Sequence, residues 1–270
     1  MCTLSLVPKA DGILLGMNRD EQRARTAALP PAVHRCGDLS ALYPFEPAGG
    51  TWIGINEAGL CVALINWYSR PQYKGDPAFS RGAIIPRLLA FPSLDDMERS
   101  LFLLPLERLN PFRLFVIGRS ADGIREYRSE GSGTERVDHP LTTAHWFSSG
   151  HDEASAITTR SAACLKAAEE PDAGTLPWLE RLHSSHDPDE GAASICMHRD
   201  DAETVSMTIL EVSGESAAMR YHAIPPCRSL GRKPHHSRLT LFSRGACVKD
   251  YSSAEERRVP ARLFLKKDEG

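Results

Sequence analysis

Cys2 stands directly behind the initiator methionine. Methionine is ordinarily removed when the next side chain is as small as cysteine, and its removal leaves one residue carrying both a thiol and a free α-amine. Such an amine titrates near about 7.7–8 and the thiol near about 8.5, so the residue is a nucleophile with a built-in base, like a threonine activated by its own terminal amine. The plainer alternative is a thiol that merely packs. Further along, Asn18-Arg19-Asp20-Glu21 ends an apolar run with four consecutive polar residues. A guanidinium beside a thiol favours the thiolate, and a carboxylate orients and protonates an amine, which makes Arg19 and Asp20 the expected partners of Cys2. The competing explanation is a solvated strand end with an Arg-Asp pair contributing at most about 1 kcal/mol.

A hairpin is needed to bring the two segments together. Residues 4–7 and 13–17 are apolar runs joined by Pro8-Lys9-Ala10-Asp11-Gly12, with Asp-Gly expected to supply the positive φ of a tight turn. A second hairpin is predicted from residues 51–55 and 60–66 around Asn56-Glu57-Ala58-Gly59. Between them, residues 26–50 read as a long loop, because Pro30-Pro31 and Gly49-Gly50 exclude a regular helix. Ile84, Ile85, Leu88 and Leu89, then Met97, Leu101 and Leu104, have the spacing of two helices. Residues 112–117 and 123–127 make a third hairpin, and 141–147 a further strand. A helix starts at the N-cap Asp152 with Ile157, Cys164, Leu165 and Ala168 as its apolar positions, and a shorter one spans 176–182. Residues 194–198, 204–212 and 217–224 return to strands. This order predicts an α+β protein with helices layered outside stacked antiparallel sheets. Beyond Pro226 the chain turns basic (Arg228, Arg232, Lys233, Arg238), which divides it into a domain over 1–226 and a C-terminal tail or extension over 227–270.

The composition fits that picture. The chain has 270 residues, 41% hydrophobic and 25% charged, as ordinary globular proteins do. At this length folding buries about 70–75% of the extended chain's surface, enough that no disulfide or metal is required. Thirty-two basic against thirty-five acidic residues, a net charge of -3, argue against nucleic acid as a partner held by overall charge. The seven cysteines are odd in number and contain no C-x-x-C, so neither a zinc ribbon nor a disulfide framework is expected. His183-Ser184-Ser185-His186 and His235-His236 lack a cysteine or carboxylate at metal-site spacing, and His198-Arg199-Asp200-Asp201 offers either a divalent-ion site or an internal salt bridge, the salt bridge favoured, so no metal and no cofactor are expected. The start lacks the charged and apolar regions of a signal peptide, and no run reaches the roughly 18 apolar residues of a membrane span. A cytoplasmic protein without stable membrane insertion is expected. Ser149-Gly150-His151-Asp152 holds the letters of a triad, but no Gly-x-Ser-x-Gly elbow exists and helix capping by Asp152 accounts for it.

Met1-Cys2-Thr3, Asn18-Arg19-Asp20-Glu21, Gly49-Gly50-Thr51-Trp52-Ile53-Gly54 and Ala63-Leu64-Ile65-Asn66-Trp67 stand in the order and approximate spacing of the NRDE family, which includes the transport and Golgi organisation proteins. The resemblance covers most of residues 1 to about 225. The N-terminal pattern is also similar to that of the penicillin V acylase and bile salt hydrolase group of N-terminal nucleophile hydrolases. That resemblance implies a four-layer αββα sandwich and hydrolysis of a non-peptide C–N amide bond through an acyl-thioester. By position it makes Cys2 the nucleophile and base, Asp20 with Arg19 its activators, and Asn66 the oxyanion donor. Asn18, Trp52, Trp67 and Arg199 are the expected substrate contacts, the two tryptophans with Tyr68 as walls of an apolar acyl pocket, against core packing as the default for Trp52, and Arg199 as the nearest candidate for the late arginine of the hydrolases. The hydrolases carry a second asparagine after the middle strand, where this chain reads His145-Trp146-Phe147-Ser148-Ser149-Gly150. Ser148 or Ser149 is the nearest substitute. That gap sustains a second expectation, a carrier or trafficking factor whose pocket binds a lipid, acyl group or haem without turnover. A third is an interaction scaffold using the basic tail.

Overall fold

The computed structural model describes residues 2–47, 49–72, 80–119, 123–229 and 231–243. Among the described residues thirteen strands form two antiparallel sheets. The first sheet has the order β10-β1-β2-β11-β12-β13, built from β1 (Cys2–Lys9), β2 (Gly12–Gln22), β10 (Ala144–Ser148), β11 (Ala202–Ser213), β12 (Ser216–His222) and β13 (His235–Thr240). The second runs β3-β4-β5-β6-β7-β8-β9, from β3 (Leu29–Cys36), β4 (Leu39–Phe45), β5 (Ile53–Asn56), β6 (Cys61–Asn66), β7 (Phe112–Ile117), β8 (Ile124–Ser129) and β9 (Thr134–His139). The helices are α1 (Ile84–Leu88), α2 (Leu94–Phe102), α3 (Glu153–Ala167), α4 (Leu176–His183) and α5 (Pro226–Ser229).

The three apolar clusters define the layers. Leu4, Leu6, Leu15 and Met17 of the first sheet meet Ile53, Ile65 and Phe115 of the second, so the sheets pack face to face. Val62, Leu64 and Leu114, on the opposite face of the second sheet, carry Ile84, Leu88 and Leu101 of α1 and α2. Val7, Leu14 and Ile209, on the outer face of the first, carry Cys164 of α3 and Trp178, Leu179 and Leu182 of α4. The protein is therefore an α+β four-layer αββα sandwich. In the central strands β1 and β2 successive residues point to two covered faces, which is why both are buried almost throughout.

Several local expectations change. Residues 26–50 are mostly a hairpin, β3 with β4, rather than a loop. Pro30 and Pro31 fit because β3 is an edge strand, where a residue without an N–H breaks no ladder. The turn after β1 uses no positive φ at Asp11 or Gly12. Gly12 is instead required by contact, since a Cβ there would lie 1.8 Å from the Val212 carbonyl oxygen. Residues 194–198 form no strand beyond one bridge, His198 to Glu203, and β9 was not expected. On α3 the buried positions are Glu153, Ala156, Arg160, Ala163 and Cys164, whereas Ile157 and Leu165 face solvent. The sheet also runs past the boundary expected at 226. β13 pairs with β12 from Ser216↔Thr240 to Tyr221↔His235, and Leu239 and Leu241 enter the core between the sheets. Residues 244–270 of the expected tail lie outside the described residues.

Candidate active site

Register places Cys2 between two neighbours at one end of the first sheet: Arg19 on β2 and Ser148 on β10. The Cys2 N–H donates to Ser148 Oγ at 3.0 Å. The expected removal of Met1 concerns a residue outside those described. Alternation along β2 sends Arg19 toward the second sheet and Asp20 toward the helices. Asp20 is wholly buried there. Its Oδ1 accepts from Thr204 Oγ1 at 2.6 Å and its Oδ2 from Arg160 Nη2 at 3.3 Å. Thr204 reaches it because β11 shifts register between Thr204 and Ser206, a bulge of the kind that re-aims a side chain beside a site.

Arg160 was not anticipated from sequence. It projects from the sheet-facing side of α3, is completely enclosed, and donates to the Cys2 carbonyl at 3.3 Å and to Thr3 Oγ1 at 3.0 Å as well as to Asp20. One planar fork thus ties the first two described residues of β1 to the acid of β2. A cation inside an apolar helical pattern, at the position where Ala156 and Ala163 leave room, was the available signal. Arg199, the expected late arginine, pairs with Asp201 at 2.9 and 2.6 Å and lies within the electrostatic reach of Asp20 and Tyr68.

Arg19 is not a lone cation beside the thiol. It pairs with Glu46 at 2.5 Å and Glu21 at 3.3 Å, Arg25 bridges the same two carboxylates at 2.7 and 2.8 Å, and the Arg19 guanidinium lies 4.8 Å above the Trp52 ring. Two cations and two anions balance in this network. Burial pushes the Cys2 thiol above its ordinary value, and the Asp20 carboxylate acts in the same direction, against Arg19 and a hydrogen bond from the Asp20 backbone.

The remaining expected contacts divide. Asn66, at the end of β6, donates through Nδ2 to Tyr68 Oη at 2.7 Å. The Tyr68 ring packs over Gly150, where a Cβ would lie 3.2 Å away, and the Tyr68 N–H is held by Glu153 at 3.2 Å. This joins Asn66 to the segment that follows Ser148. Trp67 is half-buried under Arg70, 4.6 Å from its ring. Trp52 is a core residue between the sheets. Asn18 is corrected outright: it points to the helix layer, fully enclosed, where Nδ2 donates to the carbonyls of His183 at 2.8 Å and Ile195 at 3.0 Å. An amide spent in this way holds backbone.

Behind Asn18 lies a buried polar chain. His183 Nδ1 bonds Asn18 Oδ1 at 3.0 Å, so it carries the proton. His183 Nε2 must then accept from Ser5 Oγ at 2.9 Å, and Ser5 Oγ accepts in turn from His145 Nδ1 at 2.8 Å. Burial, with His145 and Arg160 nearby, holds His183 down to about 3, and burial holds His145 down to about 4, so both imidazoles are neutral. Gly16 makes room, since a Cβ there would stand 2.7 Å from His183 Nε2.

Among the described residues no helix is long and apolar enough to cross a membrane. In sequence, none of the curated proteins matches the chain. Among solved structures it is similar to penicillin V acylase from Agrobacterium tumefaciens, with TM-score 0.48 and 13% identity over 89% of this chain and 86% of that one. It is likewise similar to the C2A mutant of conjugated bile acid hydrolase from Clostridium perfringens, with TM-score 0.47 and 12% identity over 89% and 92%. The family model described as Transport and Golgi organisation 2 matches residues 1–170, which include Cys2, the Asn18–Glu21 motif, Asn66, Ser148 and Arg160. The chain belongs to the Transport and Golgi organisation 2 family.

Proposed function

We propose that the protein is an N-terminal nucleophile amide hydrolase in which Cys2, freed of Met1, cleaves a small N-acyl amide. The observation that carries this reading is the double grip on the Cys2 main chain. Its nitrogen is held by Ser148 Oγ at 3.0 Å and its carbonyl by Arg160, which also anchors Asp20. A backbone held at both ends fixes the α-amine relative to its own thiol, and that fixed geometry is what catalysis by such a residue needs. In the reaction the Cys2 thiol gives its proton to the α-amine and Sγ bonds the amide carbon. The C–N bond then breaks as the proton passes to the departing amine. Water cleaves the resulting thioester, releasing the acid and restoring the thiol. Asn66 Nδ2 is the assigned oxyanion donor, Ser148 takes the place of the second asparagine as partner of the amine, and the side of Trp67 walls the acyl group.

One observation favours a second reading, a carrier of a lipid, acyl group or haem on the same scaffold: Cys2 is buried, and serines stand at 148 and 149 where the hydrolases carry their second asparagine. A single series separates the two. Intact mass of the purified chain reports Met1 removal, and incubation with a panel of N-acyl amides reports a mass adduct at Cys2 and released acid. Hydrolysis by wild type that disappears in Cys2→Ala supports the enzyme. Retained Met1, or ligand binding that survives Cys2→Ala with no turnover in either form, sinks the hydrolase reading.

A further inference from the structure

The geometry points to a zinc site that neither composition nor motif spacing announced, made by His186, Cys196, His198 and Cys227. One ligand atom from each of the four lies within 4.8 Å of every other. His198 Nε2 stands 3.4 Å from Cys227 Sγ and 3.6 Å from Cys196 Sγ. In a tetrahedral site with Zn–S about 2.3 Å and Zn–N about 2.0–2.1 Å, sulfur and nitrogen ligands are about 3.6 Å apart, so these separations are those of a coordination shell. Two thiolates and two imidazoles are a standard closed zinc set, and their two negative charges neutralise the ion in a half-buried position.

The outer atoms of the rings agree. A zinc-bound histidine commonly presents its other nitrogen to a carboxylate, which fixes the tautomer and the ring's direction. His198 Nδ1 faces Glu203 at 3.7 Å, and His186 Nδ1 faces Glu190 at 3.6 Å. His186 Nε2 is buried without a hydrogen-bond partner among the described residues, and a ligated metal satisfies it. Loading replaces one thiol proton on each cysteine by a bond to zinc and releases both protons to solvent.

With four protein ligands the ion is a clamp and has no open position for substrate. It would pin the segment after α4 to α5, and so to β13. It also reaches the candidate active site indirectly. Met197, between ligands Cys196 and His198, donates its N–H to Thr204 Oγ1 at 2.8 Å, and that hydroxyl donates onward to Asp20 at 2.6 Å. Cys196 itself is anchored by its N–H to the Ser185 carbonyl at 2.9 Å.

The test uses the full chain, purified under reducing conditions without chelator, with zinc content measured by elemental mass spectrometry. The stripped protein is then titrated with Co2+ alone. The expected result is about one zinc per chain, and a cobalt form with the intense visible bands and thiolate charge transfer of a tetrahedral site. Cys227→Ser and His186→Ala, both at partly exposed positions, should abolish the spectrum while the fold persists by circular dichroism. Glu203→Gln should weaken metal binding by roughly 10- to 100-fold. Cys2→Ala should bind zinc like wild type, which separates this site from the proposed nucleophile. A reduced, folded wild type that binds neither ion overturns the proposal. So does metal binding unchanged in both ligand variants, or a Cys196–Cys227 disulfide in the reduced preparation with no metal bound.

Discussion

Acidification should unfold this protein through its two buried imidazoles, and the cost can be worked from their environment. His183 and His145 are held to about 3 and about 4 against an ordinary value of 6.5, chiefly by burial. Both are neutral in the fold, so the stability they permit is complete above pH 6.5. It drains away as pH falls from 6.5 toward 4 and 3, where the unfolded chain binds protons that the native chain refuses. At pH 5 the solution is about 1.5 units below the ordinary value at which each unfolded imidazole titrates, which favours unfolding by about 1.5 times 1.36, or about 2 kcal/mol per histidine. The pair together costs about 4 kcal/mol, a large share of a typical 5–15 kcal/mol stability. Urea unfolding at pH 8 and pH 5 measures the difference, and His145→Gln supplies the control. Glutamine keeps a donor toward Ser5 but does not titrate, so its drop between the two pH values should be about 2 kcal/mol smaller than that of wild type. Titrating groups other than His183, which His145 itself helps to depress, contribute equally to both proteins and cancel. Equal drops in wild type and variant would refute the claim that His145 is a neutral, desolvated group.

Three further outcomes follow from the packing. Arg160→Met removes the guanidinium paired with the buried Asp20 side chain and should cost about 3–5 kcal/mol in urea unfolding, with Arg160→Lys failing to restore it because three donors on one nitrogen cannot reach the four acceptors that the planar fork serves. Gly12→Ala drives a Cβ to within 1.8 Å of the Val212 carbonyl and should lower stability by at least about 1–3 kcal/mol, read as a fall in Tm. Leu239→Ala should cost about 2–5 kcal/mol if β13 belongs to the core as its burial indicates, whereas a loosely attached tail would give a change near zero.

Much of the architecture was legible in one dimension because strand and helix periods reflect which faces are covered. The hairpins β1–β2, β5–β6 and β7–β8, the helix pair α1 and α2, and the Asp152 cap, which accepts from the Ser155 N–H at 2.9 Å, all follow from local pattern. The misread segments are those where tertiary context outweighs composition. Pro30-Pro31 resembles a loop until β3 becomes an edge, and the basic segment near His235 resembles a tail until β12 offers it an open edge.

Within the candidate site, sequence alone placed the Asn18–Glu21 stretch beside Cys2, and the register of the folded hairpin sets Arg19 opposite it. It could not say where charges from remote elements arrive. The Asp20 carboxylate meets an arginine 140 positions away on α3 and a threonine 184 positions away on β11. The cysteines show the same limit. Their spacing excludes a C-x-x-C motif, yet the loop after α4 brings Cys196 and His198 against Cys227 and His186. Metal geometry, like ion pairing, depends on distance in space. Sequence fixes that distance only for neighbours on one element, and packing of the four layers decides it for all the others.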